Sequence, residues 1–170
     1  MNGREIIVRV ADLAVGQDDD ELITIGLGSC VAIMLYDEQV RVGGLAHILL
    51  PSRALTRGED NVAKVPHTAV PVLVERMVAL GAHPRRITAR LAGGASMFAN
   101  LAPPGTIQMG ERNLVATRQV LNSQNIPLTA ESVGGDYGRT VRVRCRDGRI
   151  AVSSVLHRSE EHTSELQSPI

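Results

Sequence analysis

Aromatic side chains are nearly missing from this chain: its 170 residues include two Tyr, one Phe and no Trp. A hydrophobic content of 44% must therefore come mainly from Val, Leu, Ile and Ala, and no Trp is available to anchor an interface. Neither sign of charge prevails, with 18 Lys plus Arg against 18 Asp plus Glu, which argues against nucleic acid as a partner. No apolar stretch approaches the roughly 18 residues of a membrane span. The opening, Met1 to Glu5 followed by Ile6 to Val10, is too short and too soon interrupted for a signal peptide, so a cytoplasmic protein is expected. Two cysteines, Cys30 and Cys145, make no disulfide framework and are expected as thiols. The histidines show no spacing such as His-x-x-x-His, and neither a metal nor another cofactor is expected.

What is present is a series of short apolar runs punctuated by glycines. Ile6–Val10 and Leu22–Ile25 read as strands separated by the acidic loop Gln17-Asp18-Asp19-Asp20-Glu21, most simply a solvated connection. Val31–Tyr36 and Leu45–Leu50 read as an antiparallel hairpin. Pro51 to Pro66 is polar and without a strong period, which suits a flexible surface loop or, alternatively, a segment that borders the site and gates access to it. A helix is predicted over Thr68–Leu80, with Pro71 in its first turn, Val70, Leu73, Val74, Met77 and Val78 on its apolar face, and Gly81 as its stop. Ile87–Leu91 reads as a strand ending at Gly93-Gly94. A second helix is predicted over Glu111–Ser123 through Leu114, Val115, Ala116, Val120 and Leu121. Leu128–Val133, Thr140–Cys145 and Ile150–Val155 read as further strands, with Asp147-Gly148 as a two-residue turn between the last two. The alternation Val141, Val143, Cys145 places that cysteine inward. Strands joined by hairpins argue for an α+β domain rather than a doubly wound parallel sheet.

Residues 158–170 stand apart. Arg158 to Ser168 reads as the frame translation of a sequencing adapter, so a single domain over 1–157 and a non-native tail over 158–170 are expected. Setting aside the tail's one Arg and three Glu leaves 17 basic and 15 acidic residues, a balance still too even to suggest nucleic acid.

One segment carries chemistry. Gly26-Leu27-Gly28-Ser29-Cys30 puts a thiol at the lip of a glycine turn, and His47 lies on the next apolar run. Opposed positions in an antiparallel ladder sum to a constant. If the hairpin loop holds an even number of residues, that constant is odd, and Cys30 and His47 share one face, directly opposed or one diagonal apart. A thiol at neutral pH needs a base to become a nucleophile, and His47 could supply it. Thr24, two residues before Gly26, carries a hydroxyl able to orient the imidazole. Gly28, and the amides around Ser29 and Cys30, could converge on a developing oxyanion. The same residues also suit a small buried hydrophobe and a satisfied core histidine.

These segments resemble the CheD family of chemoreceptor glutamine deamidases. The resemblance runs from about Ile6 to Val155 and is carried by Gly26-Leu27-Gly28-Ser29-Cys30-Val31, Gly43-Gly44-Leu45-Ala46-His47, Gly93-Gly94-Ala95-Ser96-Met97-Phe98, Gly110-Glu111-Arg112-Asn113 and Gly134-Gly135-Asp136-Tyr137-Gly138-Arg139, in that order. It implies Cys30 as nucleophile, His47 as base and Thr24 as the third member. It also implies a four-layer α/β/β/α sandwich like that of glutamine-deamidating bacterial toxins. The implied substrates are glutamines, and possibly glutamyl methyl esters, on the cytoplasmic helices of chemoreceptors, and an implied partner is the phosphatase CheC. A binding module that regulates that phosphatase, and a hydrolase of small amides, are the other two classes the residues leave open.

Overall fold

The computed structural model describes residues 3–58, 60–156 and 160–166. Ten strands and two α-helices are formed among them: β1 (Glu5–Ile7), β2 (Leu13–Gln17), β3 (Glu21–Leu27), β4 (Val31–Asp37), β5 (Val42–Ile48), α1 (Pro66–Ala79), β6 (Thr88–Gly93), α2 (Met109–Ser123), β7 (Leu128–Val133), β8 (Arg139–Arg144), β9 (Ile150–Leu156) and β10 (Glu160–Glu165). They make two mixed five-stranded sheets, ordered β1-β3-β8-β9-β10 and β2-β5-β4-β6-β7. Pairing is antiparallel except for β1 with β3 and β6 with β7. The expected α+β class with largely antiparallel sheets is what the chain forms.

Two apolar layers hold it together. Leu22, Leu27, Cys30, Ala32, Met34, Leu45, Val141, Val143 and Cys145 fill the space between the sheets. Val31, Ile33, Leu35, Ala46, Ile48 and Leu91, from the opposite face of the second sheet, pack on Val70, Leu73 and Met77 of α1 and Leu114 and Leu121 of α2. β4 is buried along its whole length, which is why it reads as a continuous apolar run instead of an alternating one. Both α-helices thus cover one sheet. Among the described residues no α-helix covers the other, where Arg142 pairs with Glu5 and Glu21 in the open. The layers are helix, sheet, sheet, one fewer than the four-layer sandwich that the resemblance implies.

Local differences from the sequence reading have identifiable causes. β2 has no local sequence signal, because Leu13-Ala14-Val15-Gly16-Gln17 has neither alternation nor β-branched density; it forms by pairing with β5. Asp20, read as part of a solvated loop, is buried and accepts hydrogen bonds from the amides of Arg4 (3.0 Å) and Gln17 (3.1 Å). Helix α1 starts at Pro66, the N-terminal proline position, which leaves Pro71 inside the helix. Val78 and Val115 point outward. β8 ends at Arg144 and β9 begins at Ile150, so five residues, 145–149, join them instead of two. Residues 160–165, placed outside the domain from the sequence, pair with β9. The Pro51–Pro66 connection is tethered: the amides of Leu49 and Leu50 both donate to the Lys64 carbonyl at 3.0 Å.

Leu73 is wholly buried where α1 meets the second sheet. Leu73→Ala should lower the unfolding free energy by about 3 kcal/mol, measured by urea denaturation, with the circular dichroism of the folded state unchanged.

Candidate active site

The site begins with a break in β3. Its pairing with β8 slips between Thr24 and Leu27, where Gly26 takes φ +79, a conformation that favours glycine. The chain then bends through Gly28 and Ser29 into Cys30 and β4. Three consecutive carbonyls of this bend are held from one side. Gly28 O accepts from Ala95 N at 2.8 Å, Cys30 O accepts from Gly94 N at 2.8 Å, and Ser29 O accepts from Asn113 Nδ2 at 2.9 Å. The amides of Ser29 and Cys30 donate to no backbone carbonyl among the described residues.

Glycine makes that approach possible. Gly93 has φ +101, and a Cβ there would lie 2.3 Å from the Cys30 carbonyl oxygen; a Cβ on Gly110 would lie 2.3 Å from Ala95 O. The start of α2 is thereby pressed against 94–95, and 94–95 against the turn. Behind them Ser96 N donates to Gly135 O (2.9 Å) and Gly134 N to Gly93 O (3.0 Å). Arg139, 3% exposed, donates through Nη1 to Gly134 O (2.9 Å) and Nη2 to the Tyr137 hydroxyl (3.1 Å), with its guanidinium 4.4 Å from that ring's centre.

The hairpin register follows the parity argument. Asp37 pairs with Val42, leaving an even loop of 38–41, and Ala32 pairs with His47. Cys30 is therefore one diagonal from His47, and both side chains face the layer between the sheets, where such diagonal neighbours lie about 7 Å apart. No hydrogen bond joins them: His47 Nε2 is buried and has no partner. Across that layer β3 delivers Thr24, whose Oγ1 lies 2.7 Å from His47 Nδ1 and 2.6 Å from Val8 O. A carbonyl only accepts, so the single hydroxyl proton goes to Val8. Thr24 Oγ1 must then accept from the ring, which puts the imidazole proton on Nδ1 and leaves a lone pair on Nε2. The His47 backbone is tied down as well, with its amide donating to Asp12 O and its carbonyl accepting from Ala11 N, each at 3.0 Å.

Electrostatically the pair rests uncharged. Burial lowers His47 from 6.5 to about 4 and raises the Cys30 thiol, an effect its own backbone amide partly offsets. His47 is 0% exposed and Cys30 8%, so both are buried, the cysteine slightly less deeply. Beside them opens a cleft lined by Ser29, Ala95, Ser96, Met97, Phe98, Gln108 and Met109. Cys145, the other thiol, is enclosed by the sheets and pushed up to about 12, chiefly by burial. Among the described residues no group of three or more His, Cys, Asp or Glu side chains could hold a metal ion, and no helix is long and apolar enough to cross a membrane.

Comparison with known proteins gives this geometry a context. The family model described as CheD chemotactic sensory transduction matches residues 49–154. A protein of Caldanaerobacter subterraneus is 41% identical over 157 residues, 92% of this chain and 97% of its own. The chain belongs to the CheD family. A Lachnoclostridium phytofermentans member of the family is 39% identical, with 90% of this chain and 95% of its own covered, and one from Clostridium botulinum strain Hall is 41% identical, with 91% and 96% covered. All three bear the name "Probable chemoreceptor glutamine deamidase CheD". Among solved structures, a Neisseria meningitidis protein of family model DUF152 superposes with a TM-score of 0.42 at 12% identity, across 99% of this chain and 75% of that one, too loosely to carry an argument.

Of the residues singled out in the sequence, Thr24 and His47 touch, Cys30 shares their layer, and Gly28 and Ser29 form the bend. Sequence reasoning missed the Val8 carbonyl, which no pattern signals. It also assigned nothing to Asn113, although a signal existed: Asn113 falls in the buried stripe of α2 with Gly110, Leu114, Thr117 and Leu121, a polar residue on an apolar face.

A buried histidine held neutral has a consequence for stability. Between about pH 6.5 and about 4 the unfolded chain takes up a proton that folded His47 refuses, so stability falls as pH falls through that window. Chemical denaturation should show wild type losing about 1.5 kcal/mol more than His47→Gln between pH 6.5 and about pH 5.

Proposed function

We propose that this chain is a protein-glutamine deamidase of chemoreceptors, working by thiol amidohydrolysis. The observation that carries this reading is the Val8–Thr24–His47 chain of hydrogen bonds, which leaves the unprotonated Nε2 in the layer it shares with the thiol of Cys30. Because both groups rest neutral, proton transfer accompanies attack instead of preceding it. Hydrogen-bond contacts in resting sites are commonly long and tighten on substrate binding.

In this mechanism His47 Nε2 takes the proton of Cys30 Sγ as the sulfur adds to the side-chain carbonyl carbon of a glutamine. The amides of Ser29 and Cys30 hold the oxyanion. The Nδ1 proton stays bonded to Thr24, which orients the imidazolium. His47 then gives its Nε2 proton to the departing amide nitrogen, releasing ammonia and leaving a thioester. Water, deprotonated by His47, hydrolyses the thioester to glutamate and frees the thiol. A glutamyl methyl ester is cleaved by the same steps with methanol as leaving group.

The surroundings favour a protein substrate over free glutamine. Met97, Phe98, Leu101 and Ile107 are exposed on the segment that borders the cleft beside Ser29. Phe98, the only Phe in the chain, is 69% exposed. An apolar rim of this kind suits the side of a receptor helix. The CheD resemblance also supports CheC as a partner that would share this face, and a cytoplasmic location, where receptor signalling helices lie.

Incubation with a cognate receptor's cytoplasmic fragment should give Gln-to-Glu conversion by peptide mass spectrometry, abolished in Cys30→Ala. Conversion surviving in Cys30→Ala would refute the nucleophile, and none by wild type would refute the deamidase reading. The double variant Phe98→Ser, Leu101→Ser should raise KM for the receptor fragment about 10-fold while the alkylation rate of Cys30 stays at the wild-type value.

A further inference from the structure

Asn113 is 0% exposed and both protons of its Nδ2 are engaged, one by Ser29 O at 2.9 Å and one by Leu49 O at 3.2 Å. The amide cannot be turned over, because Oδ1 would then face two carbonyl oxygens. In the orientation it keeps, Oδ1 is buried without a partner, an arrangement that works against stability. A helix residue chosen for packing alone would be apolar at this place.

The peptide bond supplies the reason for keeping it. In a planar trans peptide the C=O and N–H point in opposite directions, and no cis peptide is present among the described residues. The carbonyl of Ser29 and the amide of Cys30 belong to one such plane. By holding Ser29 O on the α2 side, Asn113 aims the Cys30 N–H the other way, clear of backbone partners. Ala95 N does the same to the preceding plane through Gly28 O, aiming the Ser29 N–H. The second bond, to Leu49 O, ties this plane to the segment that leaves β5 two residues beyond His47. We propose that Asn113 is a positioning residue that presets the Cys30 amide as an oxyanion donor and fixes the nucleophile's turn against the strand carrying the base. This rests on the acyl-transfer mechanism above but not on the identity of the acyl donor.

Two reactions of the same sulfur separate this role from general support of the fold. Acylation of Cys30 by p-nitrophenyl acetate develops an oxyanion; alkylation by iodoacetamide displaces iodide and develops none. In Asn113→Ala, and in Asn113→Leu, which preserves volume, acylation should fall about 10- to 100-fold while alkylation and its pH profile change less than about 3-fold. The kcat for receptor deamidation should fall with acylation, at unchanged KM. Equal losses in both reactions, or no loss in acylation, would overturn the assignment. Should both variants fail to fold, wild type answers by NMR: a hemithioacetal formed on Cys30 by a small aldehyde should move the Ser29 and Cys30 amide protons downfield and leave the Asn113 Nδ2 protons in place, and unmoved Ser29 and Cys30 amides would overturn it. Wild type that is acylated by the ester yet leaves receptor glutamines intact would defeat the substrate reading and not this one.

Discussion

The Thr24 hydroxyl is the contact on which the site's chemistry depends. It has one proton and gives it to Val8 O, so its oxygen can only receive the proton on His47 Nδ1. That short chain of bonds crosses from one sheet to the other. It selects the tautomer, holds the ring plane and leaves the far nitrogen of the imidazole with its lone pair unprotonated. Without it, a buried histidine between two apolar sheets would have no reason to present one nitrogen over the other.

Around this contact the protein brings together backbone segments that a side chain would keep apart. Gly93 and Gly110 lie where any Cβ would run into a carbonyl oxygen, and their absence of side chain allows α2, the 93–95 bend and the Cys30 turn to stack in direct backbone contact. The result is a turn whose three carbonyls are all engaged and whose amides are therefore aimed. Rigidity of this kind lets amide dipoles act on a developing charge without reorganising during the reaction.

The resting charge state follows from the same burial. A thiolate–imidazolium pair, as found in more solvated cysteine sites, would have to be stabilised in a layer filled by Leu, Val and Met; here burial favours the neutral form of each partner. In the mechanism proposed above, that resting state makes proton transfer coincide with attack on a carbonyl in the cleft.

Much of this was legible in the residues. Alternation and apolar runs gave Val31–Tyr36, Leu128–Val133 and the β8–β9 pair, and parity put Cys30 and His47 on one face on the condition of an even loop, which the Asp37–Val42 pair meets. Other features left no local trace. β2 exists because β5 offers it an edge, the layer count depends on which sheet face attracts both helices, and Val8 became the third link of a hydrogen-bond chain through its carbonyl, which every residue possesses. The amino-acid sequence by itself determined which atoms could do chemistry and which face of each strand would carry them, because those follow from side-chain type and the period-two geometry of extended chains. Only the tertiary structure decided that the Thr24 strand would lie across from the His47 strand and that Asn113 would reach the Cys30 turn, because contacts between residues 23 and 84 positions apart are set by how whole layers pack.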